Sequence, residues 1–188
     1  MSTQNTDNPK ALAFFKRADQ VADTNNFDYA IDMYIEGLRI SPDNLDKGHI
    51  PLRKIALVRQ GKGGKKPSIK EKIKLNSGKT PLEKMLNAEA LLARDPDNLS
   101  YAEHLLKSAV SGGYINTSQW IANLIFEANK SNPKPSINTY LLLKDSYEKM
   151  ELYSRAVLAC KCALQLKPED DNLRQNLRDL SAKMTMQK

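Results

Sequence analysis

The chain has 188 residues, 27% charged, 40% hydrophobic and 6% aromatic, with 29 Lys plus Arg against 22 Asp plus Glu. These proportions fit one globular domain or a short repeat array and exclude collagen-like and disordered classes. No apolar run approaches the ~18 residues of a membrane span, and the opening MSTQNTDNPK has no apolar signal core, so a cytoplasmic, reducing setting is expected.

Residues 1–9 read as a disordered tail. An amphipathic helix follows with Phe14, Ala18 and Val21 on one face, then a turn at Asn25–Asn26 and a second helix with Phe27, Ala30, Tyr34 and Gly37. That helix must stop at SPDN, residues 41–44. The next helix covers about Leu45 to Gln60, and Pro51 either kinks it or delays its start. After a lysine-rich stretch, Thr80 caps a helix with Pro81 at its first position and Glu83 completing a capping box. This helix runs to Arg94 and ends at DPDN, residues 95–98.

A further helix carries Ala102, Leu105, Leu106 and Ala109 and turns at Gly112–Gly113 into one with Trp120, Ile121, Leu124 and Ile125. Beyond SNPKPS come Tyr140, Lys144 and Tyr147 on one helix, then Tyr153, Ala156, Cys160 and Ala163 on the next, ending at KPED, residues 167–170. A last amphipathic run over 171–184 presents Leu173, Leu177 and Leu180, and residues 185–188 form a tail. Asn44, Asn98 and Asp171 are the expected caps after the three proline turns. Cys160 and Cys162 lie two apart on a helix and point ~200° apart, so they share neither a disulfide nor a metal.

The proline turns are 54 and 72 residues apart, which is 34 plus an excess of 20, and twice 34 plus 4. The phase large–small–aromatic on a first helix and Ala–aromatic–Ala–Pro on a second, clearest in 11–44 and 137–170, resembles the tetratricopeptide repeat. The resemblance implies an all-α, right-handed helix-turn-helix solenoid of about four repeats. They would cover 11–44, 45–98 with an insertion at 61–80, 99–132 and 137–170, closed by a capping helix over 171–184.

The family is similar in holding a partner segment on its inner face, lined by the first helix of each pair. Carried over by phase, that groove contains Phe15, Lys16, Asp19, His49, Arg53, Glu103, His104, Lys107, Leu142 and Asp145. Its basic middle suits a partner with a central acidic stretch. Phe15 and Asp19 occupy the places where chaperone-binding members carry Lys and Asn, so a chaperone-tail clamp is not expected.

Residues 61–80 contain Lys62, Lys65, Lys66, Lys70, Lys72, Lys74 and Lys79 against Glu71 alone. This net of +6 leaves +1 for the other 168 residues. The three glycines at 61, 63 and 64 suggest a flexible start, and Pro67–Ser68 begins a short helix carrying Ile69 and Ile73. This insertion is a second contact, for an acidic protein, nucleic-acid phosphates or an anionic membrane. Without aromatics it offers no base stacking. Ser77–Thr80 is not a phosphate loop, because Ile73 stands where that motif needs its first glycine. With two histidines and no metal-binding spacing, neither cofactor nor metal is expected. The reading is a non-enzymatic protein-binding scaffold without a small-molecule substrate. The alternative is an adaptor on nucleic acid or an anionic membrane that works through the insertion.

Overall fold

A computed structural model describes residues 8–73 and 77–187, and every regular element among them is helical. The helices are α1 Pro9–Asp23, α2 Phe27–Ile40, α3 Ile50–Gly61, α4 Ile69–Ile73, α5 Pro81–Arg94, α6 Leu99–Gly112, α7 Ile115–Lys130, α8 Ile137–Lys149, α9 Tyr153–Leu166 and α10 Asp171–Met186. A π-helical turn, Leu45–His49, leads into α3. The chain forms two compact units, Met1–Ser118 and Gln119–Lys188.

Local chemistry sets most boundaries. Asn8 Oδ1 accepts the N–H groups of Lys10 and Ala11 at 3.0 and 3.4 Å, so α1 opens inside the expected tail; residues 1–7 lie outside the described residues. Thr80 and Glu83 form the expected capping box, and Asn98 and Ser136 cap α6 and α8. For α10 the cap is Asp170, whose carboxylate accepts Leu173 N–H at 3.1 Å. The expected cap, Asp171, is one residue late, because Asp170 is the residue with the extended backbone and Asp171 is already helical.

Helix endings alternate. Four helices close on a left-handed residue: α1 at Asn25, α3 at Gly63, α6 at Gly113 and α8 at Glu151. In each, the next N–H returns to a carbonyl five residues back: Asn26 to Val21, Gly64 to Arg59, Tyr114 to Ala109 and Leu152 to Tyr147. Three others, α2, α5 and α9, end instead on a non-helical residue before proline, at Ser41, Asp95 and Lys167.

In the first unit α1 packs along α2, the π-helical turn meets both, and α3 lies against α2 and α5. Pro51 is tolerated in the first turn of α3, where its missing N–H is not needed. Helices α3 and α5, the pair expected across the insertion, lie against each other, and α5 packs more extensively on α6. The last turns of α3 and α5 come together at the start of α2: Arg59 and Arg94 both reach Asp28, at 3.0 and 3.7 Å, and Arg94 reaches Asp32 at 3.0 Å. The crossover that links α3 to α5, described over 62–73 and 77–80, thus leaves the two helices against each other, with Arg53 and Gln60 of α3 both reaching the turn after α5. Helix α5 then pairs closely with α6. The core holds Phe15, Ile31, Tyr34, Leu38, Leu52, Met85, Leu86, Leu105 and Leu106.

In the second unit α8 packs on α9 and α9 on α10. Tyr140, Leu143, Tyr147, Ala156, Cys160, Ala163, Leu173 and Leu180 are buried, and Tyr140 meets Phe126 edge-on at 5.9 Å. Lys144, at the place where the repeat it resembles usually has a small residue, is buried, and its ammonium reaches out to Asp145 at 2.7 Å.

Candidate functional site

Two of the ten groove residues are not on the surface. Phe15 is 2% exposed, its ring stacked on Tyr34 at 6.0 Å. Gly37 and Gly48 leave the space it occupies; a Cβ at Gly37 would stand 2.3 Å from its Cε1. Neighbouring residues on a helix point ~100° apart, so burying Phe15 leaves Phe14 half-buried.

His49 is completely buried, which corrects its assignment as a groove donor. The π-helical turn closes i→i+5 bonds, with His49 N–H on Asn44 O at 3.2 Å, and the added residue shifts the register that phase counting assumes. Its Nδ1 faces Glu89 Oε1 at 3.2 Å, while Nε2 donates to Pro42 O at 2.9 Å with Thr117 Oγ1 at 3.0 Å. Thr117 gives its hydroxyl and its N–H to Asp43 Oδ1 at 2.8 and 2.7 Å, and Asn116 N–H donates to Oδ2 at 3.2 Å. Asp43 thus caps the start of α7 from the first proline turn.

Burial alone lowers the His49 pKa. The Glu89 charge and hydrogen bond, the Pro42 carbonyl and the Asp43 charge outweigh it, so the pKa lies above the ordinary histidine range. An acid, an imidazole and a hydroxyl stand in line here. However, His49, Glu89 and Thr117 are all buried, so this line fastens the π-helical turn to α5 and to Thr117 at the start of α7.

The other groove residues reach the surface at least partly. Lys16 and Asp19 are exposed on α1, and Asp19 accepts the hydroxyl of Tyr34. Burial and that carboxylate push the Tyr34 phenol far above its usual range. Arg53 on α3 donates to Pro96 O at 3.3 Å and so holds the α5–α6 turn. Glu103 and His104 are half-buried on α6, Lys107 is exposed there, and Leu142 and Asp145 lie on α8 of the second unit.

The crossover is fastened from inside. Arg59, 6% exposed, donates to Asp28 Oδ1 at 3.0 Å, Arg94 O at 3.4 Å and Lys65 O at 2.9 Å, and Gly64 lies against its side chain. Lys66 pairs with Asp95 at 3.0 Å, and Arg94 with Glu71 at 3.4 Å. Lys62 lies 5.1 Å over the Phe27 ring and donates to Asn25. An open cleft of about 460 Å³ runs between Asn25–Asp28 and the chain at 62–65.

Lys65, Lys70, Lys72 and Lys79 are exposed, and Lys74 lies outside the described residues. The short helix expected after Pro67–Ser68 is α4, with Ile69 80% and Ile73 68% exposed. Among the described residues no group of three or more His, Cys, Asp or Glu is placed to hold a metal ion. No helix among them is long and apolar enough to cross a membrane. Sequence periodicity could not find Arg59 or Arg94, because their function depends on partners about 30–60 positions away.

No protein-family model matches this chain, and no curated protein matches it significantly in sequence.

Replacing Arg59 with alanine removes three hydrogen bonds from the base of the crossover. Trypsin is expected to cleave within residues 62–72 at least tenfold faster than in the parent, with helix content by circular dichroism nearly unchanged. An unchanged cleavage rate would show that Arg59 does not hold this segment.

Proposed function

We propose that this chain is a non-enzymatic protein-interaction module built on tetratricopeptide-like helix pairs, with the lysine-rich crossover as a second contact surface. The observation that carries the reading is the match between α1–α2 and α8–α9. The left-handed residues Asn25 and Glu151 stand 126 positions apart, and at that same offset Ala18, Val21, Ala30, Tyr34 and Gly37 pair with Lys144, Tyr147, Ala156, Cys160 and Ala163, all buried. Two hairpins with the same turn and the same buried phase are what stacked repeats require. The alternation of left-handed and proline endings extends this phase to α3, α5 and α6. The middle of the chain departs from a regular array, because α5 packs more extensively on α6 than on α3.

On this reading each unit presents first-helix surface to a partner: Lys16, Asp19, Arg53, Glu103, His104 and Lys107 in the first, Leu142 and Asp145 in the second. The charges are mixed, which favours selectivity over raw affinity. The test is capture of a protein partner from nuclease-treated extract by the parent and by a Lys16→Glu, Lys107→Glu variant. Both lysines are exposed, whereas Arg53 is left in place because it holds a turn. At least tenfold weaker capture by the variant is expected. Equal capture by the two proteins would remove the first-helix surface as the binding face.

A further inference from the structure

The crossover has an inner side that fixes it and an outer side that the fold does not use. The inner side is made by arginine: Arg59 and Arg94 take Asp28, Asp32 and Glu71, and these pairs neutralise the acids nearest the segment. Glu71, the only acid within 61–80, is further occupied by Ser68 N–H and Oγ at 2.8 and 2.7 Å. On the outer side, Ile69 and Ile73 sit one helical turn apart on α4, 80% and 68% exposed. Lys70 and Lys72 lie between them in sequence and Lys65 precedes them, all three exposed.

We propose that this face, Ile69 and Ile73 framed by Lys65, Lys70 and Lys72, docks on an anionic lipid bilayer.

Three features select that occupant. First, residues 61–80 contain seven lysines and no arginine; Lys66 is held by Asp95, while Lys65, Lys70 and Lys72 are exposed. An ammonium is a point charge that suits a diffuse field of headgroups, whereas guanidinium forks suit fixed carboxylates or phosphates. Second, two exposed isoleucines a turn apart gain nothing against a phosphate backbone but can enter the boundary between headgroups and acyl chains. Third, no aromatic residue in the segment offers a base a stacking surface. The face would lie on the membrane without spanning it. The inference deepens the second-contact part of the proposed function and does not depend on the first-helix surfaces.

The test is sedimentation of the purified full chain with vesicles of 70% phosphatidylcholine and 30% phosphatidylserine, beside vesicles of phosphatidylcholine alone. Parent protein is expected to bind the anionic vesicles and not the neutral ones. A Lys65→Gln, Lys70→Gln, Lys72→Gln variant should lose about 100-fold, at about fivefold per lysine. An Ile69→Ser, Ile73→Ser variant should lose at least tenfold with the same helix content by circular dichroism. Absence of binding to the anionic vesicles, or an isoleucine variant that binds as tightly as the parent, would overturn the proposal. Tighter binding to poly-glutamate or to duplex DNA than to the anionic vesicles, unchanged in the isoleucine variant, would also overturn it, assigning the face to an acidic protein or to nucleic acid. Since no protein partner is present, failure here leaves the first-helix reading to its own test.

Discussion

Phe15→Ala is expected to destabilise the first unit by about 3–5 kcal/mol, the usual cost of emptying a phenylalanine-sized space in a core. The ring is almost fully buried between Gly37 and Gly48 and stacks on Tyr34, so three elements lose their common neighbour: α1, α2 and the π-helical turn. The site cannot collapse easily, because the glycine backbones opposite the ring have no side chains to move in. Gly37→Val should also destabilise, from the opposite direction, by forcing the ring out of its place. Urea unfolding followed by circular dichroism reads both effects as a lower midpoint at similar slope. A Phe15→Ala loss below about 1 kcal/mol would place the ring outside the core.

Glu89→Ala is expected to cost a similar amount, about 3–5 kcal/mol, because it leaves the buried His49 imidazolium without its counter-charge. The same pair gives the protein a signed pH dependence. The folded-state pKa of His49 lies above its unfolded value near 6.5, so the folded state holds the proton more tightly. Its stabilisation is fully present below about pH 6.5 and is lost as the pH rises through the raised value. The parent's unfolding free energy should therefore fall between pH 6.5 and 9 more steeply than that of His49→Gln, whose residue does not titrate. Parallel curves for the two proteins would show that folding does not raise the His49 pKa.

Where a signal was local, the sequence was readable. Asn98, Thr80 with Glu83, Gly113 and the proline turns marked helix ends, and α4 appeared where Pro67–Ser68 placed it. The all-helical class followed from them. Phase also paired Ala18 and Ala30 with Lys144 and Ala156, and all four are buried. The failures have physical causes of another range. Phe14 and Phe15 are adjacent and chemically identical, and only the arrival of Gly37 and Gly48 decides which one goes inside. One residue of π-helix turned His49 inward, toward Glu89 and Thr117, which lie 40 and 68 positions later. The length of 61–80 does not tell how the segment is held. Its base is set by Arg59 and Arg94 converging on Asp28, at a distance that no local pattern encodes.

The most direct test of the proposed function is hydrogen exchange, read by mass spectrometry, on the full chain with and without a captured protein partner. The account predicts slowed exchange at exposed ends and edges of the first helices, in peptides covering 12–24, 50–57, 100–108 and 138–146, with α2, α5 and α9 unchanged. Protection confined to α2, α5 and α9, or to residues 61–73 alone, would contradict it.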